Sequence, residues 1–184
     1  MLHEKSPRAV FMVWAIVTVL LSPLVILFLP ITITQSFFYD PSQIVVLAPT
    51  KNHYLLTLAF GLVLALLVLL AIKRSKWTYL ASGVLTVAAV TAFVFSTLSY
   101  VIIHPDYITV RDYWNKQEYA MDQFEAVVYE YGDDEPGRYQ FITKHGEVVV
   151  IQDSPQLHFE KRGAIYKTAL NYGLEFTERP FKQN

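Results

Sequence analysis

The chain has 184 residues, 53% of them hydrophobic, with 15 basic and 16 acidic side chains and no cysteine. The balance hides two different polymers: residues 1–103 carry six basic and two acidic side chains, residues 104–184 nine and fourteen. Disulfides and thiol chemistry are excluded, and the acidic half lacks the basic face that nucleic acid requires.

A bilayer core needs roughly 20 apolar residues in a helix. Three charge-free runs meet this: 9–29, 54–72 and 77–103. The first is too long for a signal-peptide core, and no small-residue cleavage site follows it, so it is read as a retained span. Lys5 and Arg8 precede the first span, and Lys73, Arg74 and Lys76 crowd the turn between the second and third. Cationic side chains near span ends stay in the cytoplasm. The expectation is a multi-pass protein of the bacterial cytoplasmic membrane, with the N-terminus cytoplasmic. Loop 30–53 and the C-terminal domain are then extracytoplasmic.

No Asp, Glu, Lys, Arg or His lies inside a span, so nothing suggests a proton relay or ion path. The third run is longer than a bilayer needs and predicts a helix whose last turn projects as a stalk. On it Ala88, Ala92 and Ser96 recur every four residues, giving a small-residue face for helix packing. That face suits the chain's own spans, or a second subunit in an oligomer joined through the third span.

In the outer loop, "ITITQSFFY" and "QIVVLA" are β-prone and "DPSQ" signals a turn, which predicts a hairpin. Phe37, Phe38 and Tyr39 would form its apolar tip, set in the headgroup layer, against the domain, or on a partner.

After His104-Pro105 the pattern becomes short strands with turn signals. Tyr107–Tyr113 alternates, "WNKQ" turns the chain, and "EYAM" returns it. "DQFEAVVYEY" begins an apolar face at Phe124 and Val127. "GDDEPGR" is an acidic turn, followed by "YQFITK" and "VVVIQ". Residues 153–173 read as a helix capped by Asp153 or Ser154, with Pro155 in its first turn and Gly173 as its stop. "LEFTERPF" is a final extended piece. About five antiparallel strands and one helix result, an α+β domain over residues 104–184 behind a membrane domain over residues 1–103. Tyr113 and Trp114, at the first turn, either cap the small core or present a recognition patch.

No nucleophile elbow, phosphate loop or zinc-helix motif is present. The five histidines are dispersed, without ligand spacing. Asp133, Asp134 and Glu135 make a solvated turn rather than a calcium loop, and Ser154 has no base in its motif. No cofactor and no catalytic or metal site is expected.

Three segments carry a resemblance: Tyr107–Tyr129, Tyr139–Ile151 and Lys161–Phe176. They are similar to the bacterial pleckstrin-homology-like (PH-like) domains found in small membrane proteins. "YAMDQFEAV" stands for that family's step into the third strand and "KHGE" for its hairpin. The resemblance covers about the last 75 residues and implies a PH-like antiparallel sheet with a C-terminal helix, serving as a scaffold or interaction module. Lipid-phosphate binding by eukaryotic relatives needs a basic mouth, and this net-acidic domain does not inherit that expectation.

The reading is a non-enzymatic membrane protein whose outer domain binds or scaffolds another membrane or envelope protein. The alternatives are an immunity-type protein that shields the membrane from a toxin and an accessory subunit of a transporter. The expected partners are the lipid bilayer and a protein.

Overall fold

The computed structural model describes residues 6–132 and 136–181. The chain divides into two compact units. One comprises the chain up to Ile33 with Thr50–Ser99, the other Thr34–Pro49 with the chain from Tyr100 onward. The acidic turn 133–135 lies outside the described residues.

Three helices are long and apolar enough to cross a membrane: α1 (Pro7–Phe38), α2 (Thr50–Ile72) and α3 (Lys76–Phe95). Large side chains such as Val13, Leu20, Leu24, Phe28, Val84 and Val87 face outward, as lipid rather than water permits. Hydroxyls along the helices bond back to carbonyls one turn earlier. Thr18 donates to Trp14 O at 2.8 Å and Thr86 to Ser82 O at 2.8 Å, which satisfies them where no water can. Ser75 caps α3 by accepting the Thr78 N–H. The second and third helices pack together along small residues, burying Leu56 and Ala59 of α2 and Ser82, Ala89 and Ala92 of α3. Asn52 is fully buried and donates to Ser99 O at 2.7 Å, tying the start of α2 to the residues after α3.

Two boundaries differ from expectation. First, α1 continues through Pro23 and Pro30 and "ITITQSFF" to Phe38, so the first arm of the expected hairpin is helix. Its β-branched residues lower helix propensity only slightly, and a segment leaving lipid keeps its amides paired by staying helical. Second, α3 stops at Phe95 rather than Ile103. Ser96 Oγ donates to Phe93 O and Thr97 Oγ1 to Val94 O, closing the helix end. "YVII" then becomes a strand, and there is no helical stalk.

The second unit is a pair of four-stranded sheets. Sheet A has the order β1 (Val45–Leu47), β2 (Tyr100–Ile103), β3 (Tyr107–Asp112), β4 (Asn115–Ala120), all antiparallel. "DPSQ" is the turn that leads into β1, with Ser42 N–H donating to Asp40 Oδ1 at 2.8 Å. A single 3-10 turn, Met121–Gln123, passes the chain to sheet B. There β5 (Phe124–Tyr131), β6 (Arg138–Thr143) and β7 (Val148–Gln152) form an antiparallel meander. The helix α4 (Phe159–Asn171) follows, and β8 (Glu175–Pro180) runs parallel to β5 at the other edge.

Five strands, a helix and a last extended piece therefore follow residue 104 as expected. The departures are that they are split between two sheets, that β8 pairs in parallel, and that β2 comes from a segment read as span; the second arm of the expected outer-loop hairpin is a strand, but it pairs with β2. The "WNKQ" turn is shorter than expected. Only Tyr113 and Trp114 turn, and β4 begins at Asn115. The helix also starts later than expected, at Phe159 with His158 as a cap residue that makes no side-chain bond. Asp153 is occupied elsewhere by side-chain partners. The predicted stop holds: Gly173 has φ 68, Gly173 N–H reaches Leu170 O, and Leu174 N–H reaches Ala169 O. This is a Schellman closure that only glycine makes without strain.

One core is shared by both sheets and α4. It contains Leu47, Ile103, Ile108, Phe124, Phe141 and Ile165 among others. Strict alternation would send Phe124 and Val127 to opposite faces. A bulge between Phe124 and Ala126 turns both inward, and both are fully buried.

Candidate functional site

The β3–β4 hairpin, the end of α1 and the start of β2 meet at one end of sheet A. The register pairs Tyr100 with Arg111 and Leu47 with Val101. The hairpin turn therefore lies at the end where β2 enters the sheet and β1 leaves it. Phe38 stacks on Tyr100 with ring centroids 4.2 Å apart, and the Arg111 guanidinium lies 5.7 Å from the centre of the Tyr100 ring. Val46 and Ile102 complete this small outer cluster. Phe37 is 77% exposed and Tyr39 55%.

At the turn, Trp114 is 77% exposed. Tyr113 has φ 52, the one positive value for a non-glycine among the described residues. That conformation costs a side-chain-bearing residue about 1 kcal/mol. Arg111 Nε donates to Tyr113 O at 3.2 Å, bracing the turn. Phe38, Tyr113 and Trp114 thus lie at one end of sheet A, and Phe37 and Tyr39 flank Phe38 in the chain. Of the α3 face, Ala92 and Ser96 are buried and Ala88 is half-buried.

A second feature has no counterpart in the sequence reading. As an outermost strand of sheet B, β7 has one open edge among the described residues. Val149 and Ile151 face the core, while Val148 and Val150 are 46% and 51% exposed on the opposite face. Asp153 N–H donates to Gly137 O, and Thr143 N–H to Glu147 O. Antiparallel alternation from these two bonds turns the N–H and C=O groups of Val148 and Val150 away from β6. Natural edges are usually blunted by Lys, Pro or a bulge, and "VVVIQ" has none of these. Its alternation was legible; its place at an edge depends on long-range pairing.

Two polar clusters hold sheet B. Glu130 on β5 has a carboxylate only 4% exposed. Arg138 Nε and Gln140 Nε2 each donate to its Oε2 at 2.6 Å, and Arg179 donates to Oε1 through Nε at 2.9 Å and Nη2 at 2.7 Å. Burial opposes its charge, but the two guanidiniums outweigh burial and hold the carboxyl below its ordinary range. The cluster pins β6 and the parallel β8 to β5. Nearby, Asp153 Oδ2 accepts the Tyr129 hydroxyl at 2.8 Å and Arg162 Nη2 at 2.7 Å. Burial, then the Asp153 contact, pushes the Tyr129 hydroxyl up. Asp153 and Arg162 border an open pocket with Ser154, Leu157, His158 and Phe159. Ser154 Oγ is buried with no hydrogen-bond partner among the described residues.

The chain matches no protein-family model and no curated protein.

Proposed function

We propose that this is a non-enzymatic membrane protein whose sandwich is a protein-binding module that holds or scaffolds another membrane or envelope protein. The open β7 edge carries the reading. It offers unpaired main-chain groups along a strand and two exposed valines, the components of recognition by strand addition. An extended segment of the partner would pair with β7, and its alternate side chains would cover Val148 and Val150. The order of strands followed by a helix supports a PH-like relationship, which the parallel β8 and the open sheets leave as an analogy of architecture. The cationic turn Lys73–Lys76 supports a cytoplasmic position for that turn and an extracytoplasmic one for the sandwich.

Two experiments test this. A photo-reactive residue at Val148 in living cells is expected to trap one discrete membrane or envelope protein. Val150→Pro removes only an outward amide and is tolerated at an edge, so it should abolish that adduct while the thermal midpoint stays within a few degrees. An unchanged adduct in Val150→Pro, or none in the parent, overturns the reading. For the topology, a reporter active only outside the membrane should work when fused after Asn184; activity solely from a cytoplasmic reporter refutes it.

A further inference from the structure

We infer that the β3–β4 turn, Tyr113–Trp114, is an interfacial anchor that seats its indole in the lipid headgroup layer. The inference is separate from the strand-addition reading and rests on the other sheet.

Connectivity is the first support. The turn lies at the end of sheet A where β2 begins, and only Ser96–Ser99 separate Tyr100 from the last residue of α3. That link spans about 18 Å at full extension. At the same end, Ala48 and Pro49 alone join β1 to α2. The turn is therefore carried by the end of the sheet that the chain ties to two membrane-spanning helices.

Chemistry is the second. Trp114 is 77% exposed. Tryptophan and tyrosine, with an apolar body and one polar handle, concentrate where lipid meets water. Asn-Gly would make a two-residue turn without strain. This chain instead places Tyr113 there at φ 52 and braces its carbonyl with Arg111. Strain kept at an exposed aromatic turn points to a use for the side chains it displays.

Charge selects the kind of contact. Arg111 is followed by Asp112, and Lys116 sits 2.9 Å from Glu118. The turn carries no net charge, so the anchor recognises the apolar–polar boundary rather than anionic headgroups.

The test uses the full-length chain in vesicles. Trp14→Phe and Trp77→Phe, both at exposed positions, leave Trp114 as the sole indole. Its emission should be quenched by phosphatidylcholine brominated high on the acyl chain, and to the same degree when phosphatidylglycerol is added. Absence of bromine quenching overturns the proposal, whether the indole is then open to aqueous iodide or shielded by protein. Strong dependence on phosphatidylglycerol also overturns it, in favour of a charge-recognising site. If the double variant does not fold, Asn115→Cys in the otherwise unaltered, cysteine-free chain takes a nitroxide label. A nickel-chelating lipid should relax that label more than a soluble nickel chelate does; the reverse order refutes the anchor.

Discussion

In sheet A the strands that the chain joins directly to α2 and α3, β1 and β2, are buried on both faces, whereas in sheet B β6 and β7 alternate buried and exposed side chains. The outer side of sheet A is closed by Phe38 stacked on Tyr100. The outer side of sheet B carries Val148 and Val150 in the open, beside a charge cluster whose arginines stay half exposed. The strands β1 and β2 are committed to contacts within the chain, whereas β6 and β7 keep one face exposed, and β7 is an outermost strand.

The largest effect tests whether the two sheets share one folding unit. Ile103 of sheet A is fully buried in the same core as Phe124 and Phe141 of sheet B. Ile103→Ala should cost about 2–5 kcal/mol, as lost burial plus a cavity. Because the core is common, hydrogen exchange of the β6 and β7 amides should accelerate as much as that of β2. Faster exchange confined to sheet A would show that the sheets open independently.

Next is Glu130→Gln, which leaves the shape of the cluster and removes its charge. Arg138 and Arg179 are exposed enough to turn to water, so the loss is about 2–3 kcal/mol, that of charge-assisted hydrogen bonds. The pH dependence has a definite sign. Glu130 is held below its ordinary value of 4.5. Its contribution is complete above that value and is lost as the pH falls through the lower folded value. The urea midpoint of the parent should fall faster than that of Glu130→Gln as the pH drops below 4.5. Parallel curves would mean the carboxylate is not perturbed.

The same contrast explains what could be read from the sequence. In sheet B, β6 and β7 were legible because each buries one face, so Tyr139, Phe141, Val149 and Ile151 stand out at a period of two. Gly173 was legible because a helix stop needs a left-handed residue. Sheet A hid in its neighbours. "YVII" continues an apolar run without a polar partner position, because both its faces are covered, and apolar runs do not tell strand from helix by period. "ITITQSFF" looked like a strand by composition, yet it prolongs α1. The grouping of Phe37, Phe38 and Tyr39 with Tyr113 and Trp114 depends on the pairing of β2 with β3 across the 3-residue link 104–106, and on Phe38 stacking on a residue 62 positions away. Neither leaves a local mark.

A smaller effect probes how firmly β8 is set into sheet B. Gly173→Ala forces a methyl-bearing residue into φ 68, in otherwise open space. The expected loss is about 1 kcal/mol, read as a lower urea midpoint. Because α4 and β8 meet there, the amides of β8 should lose more protection than those of β7. No shift would indicate that the helix end relaxes without disturbing the parallel pairing.

The smallest effect sets the other carboxylate against Glu130. Glu118 of β4 also lies beside a cation, with Lys116 Nζ 2.9 Å away, and it accepts the Thr109 hydroxyl at 3.3 Å. The hydrogen bond from Lys116 holds its carboxyl below the ordinary range, the same direction as Glu130. Its side chain, however, is 52% exposed against 4%. Water and salt screen such a pair, and fixing two flexible side chains offsets the attraction. Glu118→Gln should therefore leave the urea midpoint within the scatter of neutral surface substitutions, at low salt as at high. Two carboxylates with the same direction of shift would then differ in consequence through burial alone. A loss matching that of Glu130→Gln would mean that Glu118 is covered in the folded protein, and burial would not be what separates the two carboxylates.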